Sequence, residues 1–168
     1  MLQKDMLLPY KTVLDNVALP LVIKGMKKKE AREKAASYFE QFGLKGYENK
    51  YPSALSGGMR QNAYIAMALA QDTDYILLDE PTTYLDISHQ IELMKLLRKL
   101  ADNGKGIIAV MHDLPMAFNY SDEILVIENG KSRVQSNPID ICGSAVIKEV
   151  FNVQIERLVD GRYCYAGI

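Results

Sequence analysis

The sequence predicts an α/β fold, and three observations predict it. Two short apolar runs, "YILLDEP" from Tyr75 and "GIIAVMHD" from Gly106, each end in polar groups, as strands of a parallel sheet do at their tips. Between them, "ISHQIELMKLLRKLADNG" places Ile87, Ile91, Met94, Leu97 and Ala101 on one helical face, with Gly104 as a stop. A strand, a helix and a strand form a crossover unit whose strands run parallel, so Asp79, Glu80 and His112 are expected on one edge of the sheet.

The elements follow in chain order. The opening stretch, "MLQKDMLLPYKTVLDNVALPLVI", is broken by Lys4, Asp5, Lys11, Asp15 and Pro20, and lacks the unbroken apolar centre of a signal peptide or membrane span. No direct membrane insertion is expected, and any membrane role comes through a partner. From Lys28 to Phe42, Ala31, Ala35, Tyr38, Phe39 and Phe42 recur at helical spacing opposite Lys and Glu, and Gly43 ends the run. After the turn-rich "GLKGYENKYPSALSGG", Met59 to Gln71 contains no Gly or Pro and is rich in Ala, Met and Leu, the composition of a mostly buried helix. The front of the chain is therefore expected to be helical. Beyond His112, "DEILVIENGKSRVQ" is a hairpin turning at Asn129 and Gly130, residues that tolerate positive φ. From about Ser136 the chain mixes a short helix, "SAVIKEVF", with a polar, aromatic tail.

Composition narrows the function. With 168 residues the chain has room for one domain with a real core. A net charge of −1 provides no basic field, which argues against a nucleic acid partner. The two cysteines, Cys142 and Cys164, are too few and too far apart for a metal cluster or disulfide framework, and are expected to be packing residues.

The chemistry concentrates at three places. Adjacent side chains on a strand point to opposite faces, so Asp79 and Glu80 can hold two roles: one carboxylate serves Mg²⁺ while its neighbour orients the attacking water in phosphoryl transfer. The alternative is that these acids only begin a turn before Pro81. Ser56, Gly57 and Gly58 precede the buried helix, where a hydroxyl and backbone N–H groups can converge on an anion; the alternative is a loop with an N-capping serine. His112 falls beside the acids through the crossover. Asp86 is placed to cap the helix that starts at Ile87, a structural role compatible with a functional one.

"LSGGMRQ", "YILLDEPT", "TYLD" and "VMHD", in that order, resemble the nucleotide-binding subunit of ABC transporters, from residue 1 to about residue 135. The resemblance implies a partial P-loop NTPase-like domain: a helical subdomain plus the C-terminal half of a mostly parallel core sheet. It implies ATP and Mg²⁺ as cofactors. By motif, Ser56, Gly57 and Gly58 would contact the γ-phosphate of ATP bound to an opposing subunit. Asp79 would serve Mg²⁺, Glu80 polarise water, Asp86 belong to the D-loop, and His112 be the switch histidine. Gln3 resembles the Q-loop glutamine that senses Mg²⁺ and contacts the transmembrane partner. The expected divisions are 1–71 (Q-loop start and signature subdomain), 72–135 (Walker B, D-loop, switch histidine and hairpin) and 136–168 (tail).

The phosphate loop G-x-x-x-x-G-K-[ST] is not found. "GKS" at 130–132 fails because the pattern needs glycine where Leu125 stands, and Gly130 belongs to the hairpin. With two residues ahead of Gln3, the Walker A segment is expected to be missing from this chain and to be one of its partners. The chain alone is then expected to hydrolyse essentially no ATP, and to expose a sheet edge and apolar surface that invite self-association or a helper fragment. The other implied partners are transmembrane permease subunits and a second ATP-binding subunit, head to tail, at the inner, cytoplasmic face of the plasma membrane. "LLPYKTVLDNVALPL" would lie near the permease-facing surface, or be core, and core is the stronger reading. Asn62 and Met67 stand where arginines are common in the family, which questions the polar contacts of that helix.

"YPSALSGGMRQ" resembles nitrate and taurine importers, whereas "AYIAMALAQDTDYILLDEPTTYLDISHQ" and "IKEVFNV" resemble importers of siderophore iron, haem or cobalamin, so the chain reads as a mosaic. Two further readings are a non-catalytic interaction or dimerisation module and an ABC-type DNA-repair ATPase. The latter is disfavoured by the lack of long heptad insertions.

Overall fold

The computed structural model describes residues 7–83 and 85–167. The N-terminal part is helical: α1 (Val13–Ile23), α2 (Lys28–Gln41), a 3-10 turn at Pro52–Ala54 and α3 (Gly57–Ala70). Next come β1 (Tyr75–Asp79), α4 (Ile87–Asp102), β2 (Gly106–Val110) and α5 (Leu114–Tyr120). The remainder is β3 (Ile124–Glu128), β4 (Lys131–Ser136), α6 (Pro138–Cys142), α7 (Val146–Phe151), β5 (Ile155–Arg157) and β6 (Tyr163–Tyr165). Among the described residues no helix is long and apolar enough to cross a membrane.

Thr12 caps α1, its hydroxyl accepting from Asp15 N–H. Pro20, inside that helix, has no N–H to offer the carbonyl of Asn16. The fully buried Asn16 side chain is spent on the preceding turn: Oδ1 accepts from Leu8 N–H at 2.7 Å, while Nδ2 donates to the carbonyls of Leu8 and Thr12 at 3.1 and 3.0 Å. Leu7, Val13, Leu14, Val17, Ala18 and Leu21 are buried, so most of this segment's apolar side chains are core; Tyr10 and Ile23 are exposed. Helix α2 adds Ala31, Ala35 and Phe39, and Arg32 donates to Asp15 at 2.6 Å. Burial pushes the Asp15 carboxyl up, but Arg32, the Thr12 hydroxyl and Lys28 together outweigh it and hold the group below the usual carboxylate range. Helix α3 contributes Ala63, Ile65, Ala66, Leu69 and Ala70, and Asn62 reaches across to donate to the Phe42 carbonyl at 3.0 Å. Asn62 thus supplies a polar contact at a position where the family commonly carries arginine.

Strands β1 and β2 pair in parallel, with Tyr75 opposite Gly106 and Asp79 opposite Val110. This is the expected crossover unit. The apolar runs lead one to expect burial on both faces, and that holds on one only. Ile76, Leu78 and Ile107 join the helical core, whereas Tyr75, Leu77, Ile108 and Val110 are 67, 74, 57 and 55% exposed on the other. Hydrophobic runs report that a face can be covered, not that this chain covers it. Ile87 departs similarly. Leu93, Met94 and Leu97 form the buried stripe of α4, but Ile87, first residue of the helix, projects beyond that core and is exposed.

The β3–β4 hairpin turns at Asn129 and Gly130, with φ of +50° and +73°. Two successive positive φ values suit a hairpin turn, so the "GKS" run lies between two antiparallel strands and not between a strand and a helix. A second core gathers Phe118, Val126, Ile141, Ile147, Ile155 and Tyr163, the rings of Phe118 and Tyr163 lying 5.3 Å apart. Its β5–β6 hairpin is an element that the polar, aromatic tail did not disclose. Cys142 and Cys164 are half-buried, and Cys142 Sγ donates to the Ile155 carbonyl at 3.3 Å.

Candidate nucleotide-binding site

Asp79 ends β1 on the same side as Tyr75 and Leu77, so it stands at the tip of the exposed sheet face. Glu80 turns the other way. Its N–H donates to Val110 carbonyl at 3.1 Å, prolonging the strand pairing, but its φ is +47° immediately before Pro81. A non-glycine residue there costs about 1–3 kcal/mol, a strain that surrounding structure must hold. What holds it is visible. Thr83 N–H donates to the Glu80 carbonyl at 3.1 Å, Thr83 Oγ1 donates to Glu80 Oε2 at 3.1 Å, and Glu80 Oε1 lies 2.6 Å from His112 Nε2.

His112 sits two residues past β2, on the neighbouring strand, and is mostly exposed; Glu80 is mostly covered. The His112 hydrogen bond draws the Glu80 carboxyl below its ordinary value, against a smaller opposing effect of burial. Glu80 is therefore ionised at neutral pH. The crossover has brought an ionised carboxylate and an imidazole to one rim.

A second group lies where α3 and α4 begin. Ser56 caps α3, its Oγ accepting from Met59 N–H at 3.2 Å, and the first intrahelical bond runs from Arg60 N–H to the Ser56 carbonyl at 3.0 Å. The N–H groups of Gly57 and Gly58 precede that bond and lie at the positive end of the helix. Asp86 caps α4: Oδ1 accepts from His89 N–H at 3.0 Å and from Ser88 Oγ at 2.8 Å, while Oδ2 lies 2.7 Å from His89 Nδ1. Led by the His89 backbone hydrogen bond, these contacts pull the Asp86 carboxyl down to about 2. A Cβ added at Gly58 would lie 3.4 Å from His89 Cδ2 and 3.6 Å from Leu85 Cδ2, so these two side chains border the open face of the glycine.

Sequence reasoning missed His89 and Gln90. The available signal was a histidine three residues after a capping aspartate, a spacing at which the two side chains meet on the first helical turn. Gln3 lies outside the described residues. Among the described residues no group of three or more His, Cys, Asp or Glu side chains could hold a metal ion. Asp79 fits Mg²⁺ as one carboxylate that must share the ion with ligands from elsewhere, as Mg²⁺ sites built on phosphates do.

These strand tips and helix starts have a known counterpart. The family model described as ABC transporter matches residues 1–83. The chain belongs to the ABC transporter ATP-binding family. Among curated relatives, the achromobactin transport ATP-binding protein CbrD of Dickeya dadantii is 49% identical over 108 residues, which is 64% of this chain and 40% of that protein. The formylaminopyrimidine import ATP-binding protein ThiZ of Halalkalibacterium halodurans is 42% identical over 141 residues, 81% of this chain and 57% of that protein. Among solved structures, a dimeric ATP-binding cassette in a post-hydrolysis state with ADP and Pi aligns with a TM-score of 0.70 and 34% identity, covering 79% of this chain and 59% of that one. The chain thus has the α/β fold of an ABC ATPase cassette in part, and spans about half the length of these relatives.

Proposed function

We propose that this chain is the ATP-binding share of an ABC importer subunit, in which ATP hydrolysis drives uptake of a solute, with an iron complex, haem or cobalamin favoured. The observation that carries the reading is Glu80 Oε1 at 2.6 Å from His112 Nε2 on the common rim of two parallel strands. In this reading Glu80, ionised and fixed by Thr83, accepts a hydrogen bond from the attacking water and takes its proton. His112 turns its Nε2 to the γ-phosphate, which releases Oε1 for the water. Asp79, with Gln3 as a second contact, would hold Mg²⁺ together with the nucleotide, and the ion would supply charge neutralisation at the phosphate oxygens. Ser56 and the N–H groups of Gly57 and Gly58 meet the γ-phosphate of ATP held by a second, head-to-tail subunit, and Asp86 faces the same interface. A 40% identity over 124 residues to the iron(3+)-hydroxamate import ATP-binding protein FhuC of Bacillus subtilis supports the iron-complex class, whereas ThiZ is named for formylaminopyrimidine import.

The functional division is 1–71, 72–135 and 136–168. The exposed face of β1 and β2 takes the segment that carries the phosphate loop, the permease subunits receive the helical part, and the assembly works at the cytoplasmic side of the membrane. Without the phosphate-loop segment the chain turns over essentially no ATP.

The test combines the purified chain with a separately expressed phosphate-loop segment and measures Mg²⁺-dependent ATP hydrolysis. Turnover is expected only in the mixture, and Glu80→Gln should lower it on the order of 10²-fold or more. Turnover by the chain alone that Glu80→Gln abolishes refutes the dependence on the segment. Absence of any nucleotide-dependent heat in titration calorimetry, with the segment present, favours a non-catalytic interaction module instead.

A further inference from the structure

Two neighbouring residues at the start of α4, His89 and Gln90, reach backwards and sideways in a way that capping does not require. Asp86 caps α4 through the His89 N–H alone, yet the His89 ring also turns to place Nδ1 2.7 Å from Asp86 Oδ2. In that orientation the ring lies against the open side of Gly58, together with Leu85. Gln90 is half-buried, and its Nε2 donates to two carbonyls of the preceding loop, Thr82 at 3.2 Å and Leu85 at 2.9 Å. One side chain thus ties the loop down, and the other joins its end to the glycine turn of a different helix.

From these contacts we propose that His89 and Gln90 are positioning residues that lock the acidic loop from Glu80 to Asp86 onto the Ser56–Gly58 turn, so that the two groups move as one unit. Gln90 acts on the loop. Its two hydrogen bonds replace water at the carbonyls of Thr82 and Leu85, and Thr82 is itself buried beside the strained Glu80. His89 acts between helices, because Asp86 fixes the ring plane and the ring fixes the distance to Gly58. The imidazole borders the side-chain face of Gly58, where an added Cβ would lie at van der Waals distance, 3.4 Å, from its Cδ2. The consequence for the proposed ATPase is that the groups meeting the opposing subunit's nucleotide cannot shift independently of the loop that begins at the water-orienting Glu80. The proposal deepens that reading, but its structural half concerns the chain by itself.

The experiment is amide hydrogen exchange on the full chain without nucleotide. His89→Ala is expected to speed exchange at Met59 and Arg60 about five-fold or more, although those amides belong to α3 and share no hydrogen bond with residue 89. A residue that merely caps α4 alters exchange in α4 only. His89→Gln, whose amide can donate to Asp86, should restore most of the protection, and Gln90→Ala should speed exchange at Thr83 and Leu85. Unchanged Met59 and Arg60 exchange in a folded His89→Ala chain overturns the proposal, as does a His89→Gln chain that behaves like alanine. In the mixture with the phosphate-loop segment, His89→Ala should lower kcat several-fold with KM for ATP little changed. A mixture that never hydrolyses ATP refutes the functional reading and leaves the exchange result to decide the lock.

Discussion

Replacing Leu77 and Ile108 together by threonine separates the stability of this chain from its capacity to be covered. The two residues are cross-strand partners in the parallel register, 74 and 57% exposed. Together they leave about 1.3 side chains' worth of apolar surface in water, and full burial of such a side chain contributes about 1.5–3 kcal/mol. Threonine has the β-branch that suits a strand and retains one methyl group, so the loss to any association covering the face is about 1.5–3 kcal/mol, or roughly 10- to 150-fold in Kd. Calorimetric titration of the chain with the phosphate-loop segment of a relative measures that loss directly. Urea unfolding of the variant alone should change by no more than about 1 kcal/mol, since both side chains are more than half exposed within the chain. Unaltered affinity, or an unfolding cost above about 2 kcal/mol, would show that the exposed face has been misjudged.

Asn16→Ala should lower unfolding free energy by about 1–3 kcal/mol in urea titration, because it strands the N–H of Leu8 in a part-buried turn whose Leu8 carbonyl still accepts from Lys11 N–H; a cost below about 0.5 kcal/mol would mean that water replaces the amide. The contacts at Asp86 hold its carboxyl at about 2 in the folded chain, against an ordinary value of 3.8, so its contribution is present above about pH 3.8 and is lost as pH falls through 2. Asparagine caps a helix about as well but does not titrate. Asp86→Asn should therefore flatten the acid limb of stability between those pH values, and an unchanged pH profile would exclude Asp86 as its source.

Much of the frame was legible because local rules and tertiary structure agree. Ser56 and Asp86 cap the helices that their positions announced, Asn129 and Gly130 turn the hairpin, and the crossover brings Glu80 to His112. What escaped depends on partners that a linear pattern does not name. Leu77 and Ile108 have the same apolar character as Ile76, yet only Ile76 is covered within the chain. Asn16 looks like any polar residue in an amphipathic helix until its amide is seen to satisfy the turn before it. The β5–β6 hairpin consists of two three-residue strands, too short for alternation to stand out. His89 and Gln90 were masked by their position in the first turn of α4, where polar side chains ordinarily face solvent.

Helix α5 has one further bearing on the rim. Leu114 and Phe118 pack into the C-terminal core, whereas Met116 and Tyr120 rest on the helical one, so seven residues form a wall common to two compartments. His112 is tethered two positions upstream of that wall. The strand end that carries the imidazole is thereby moored to both cores through one short helix, so residues near the C-terminus share the packing next to which His112 is held.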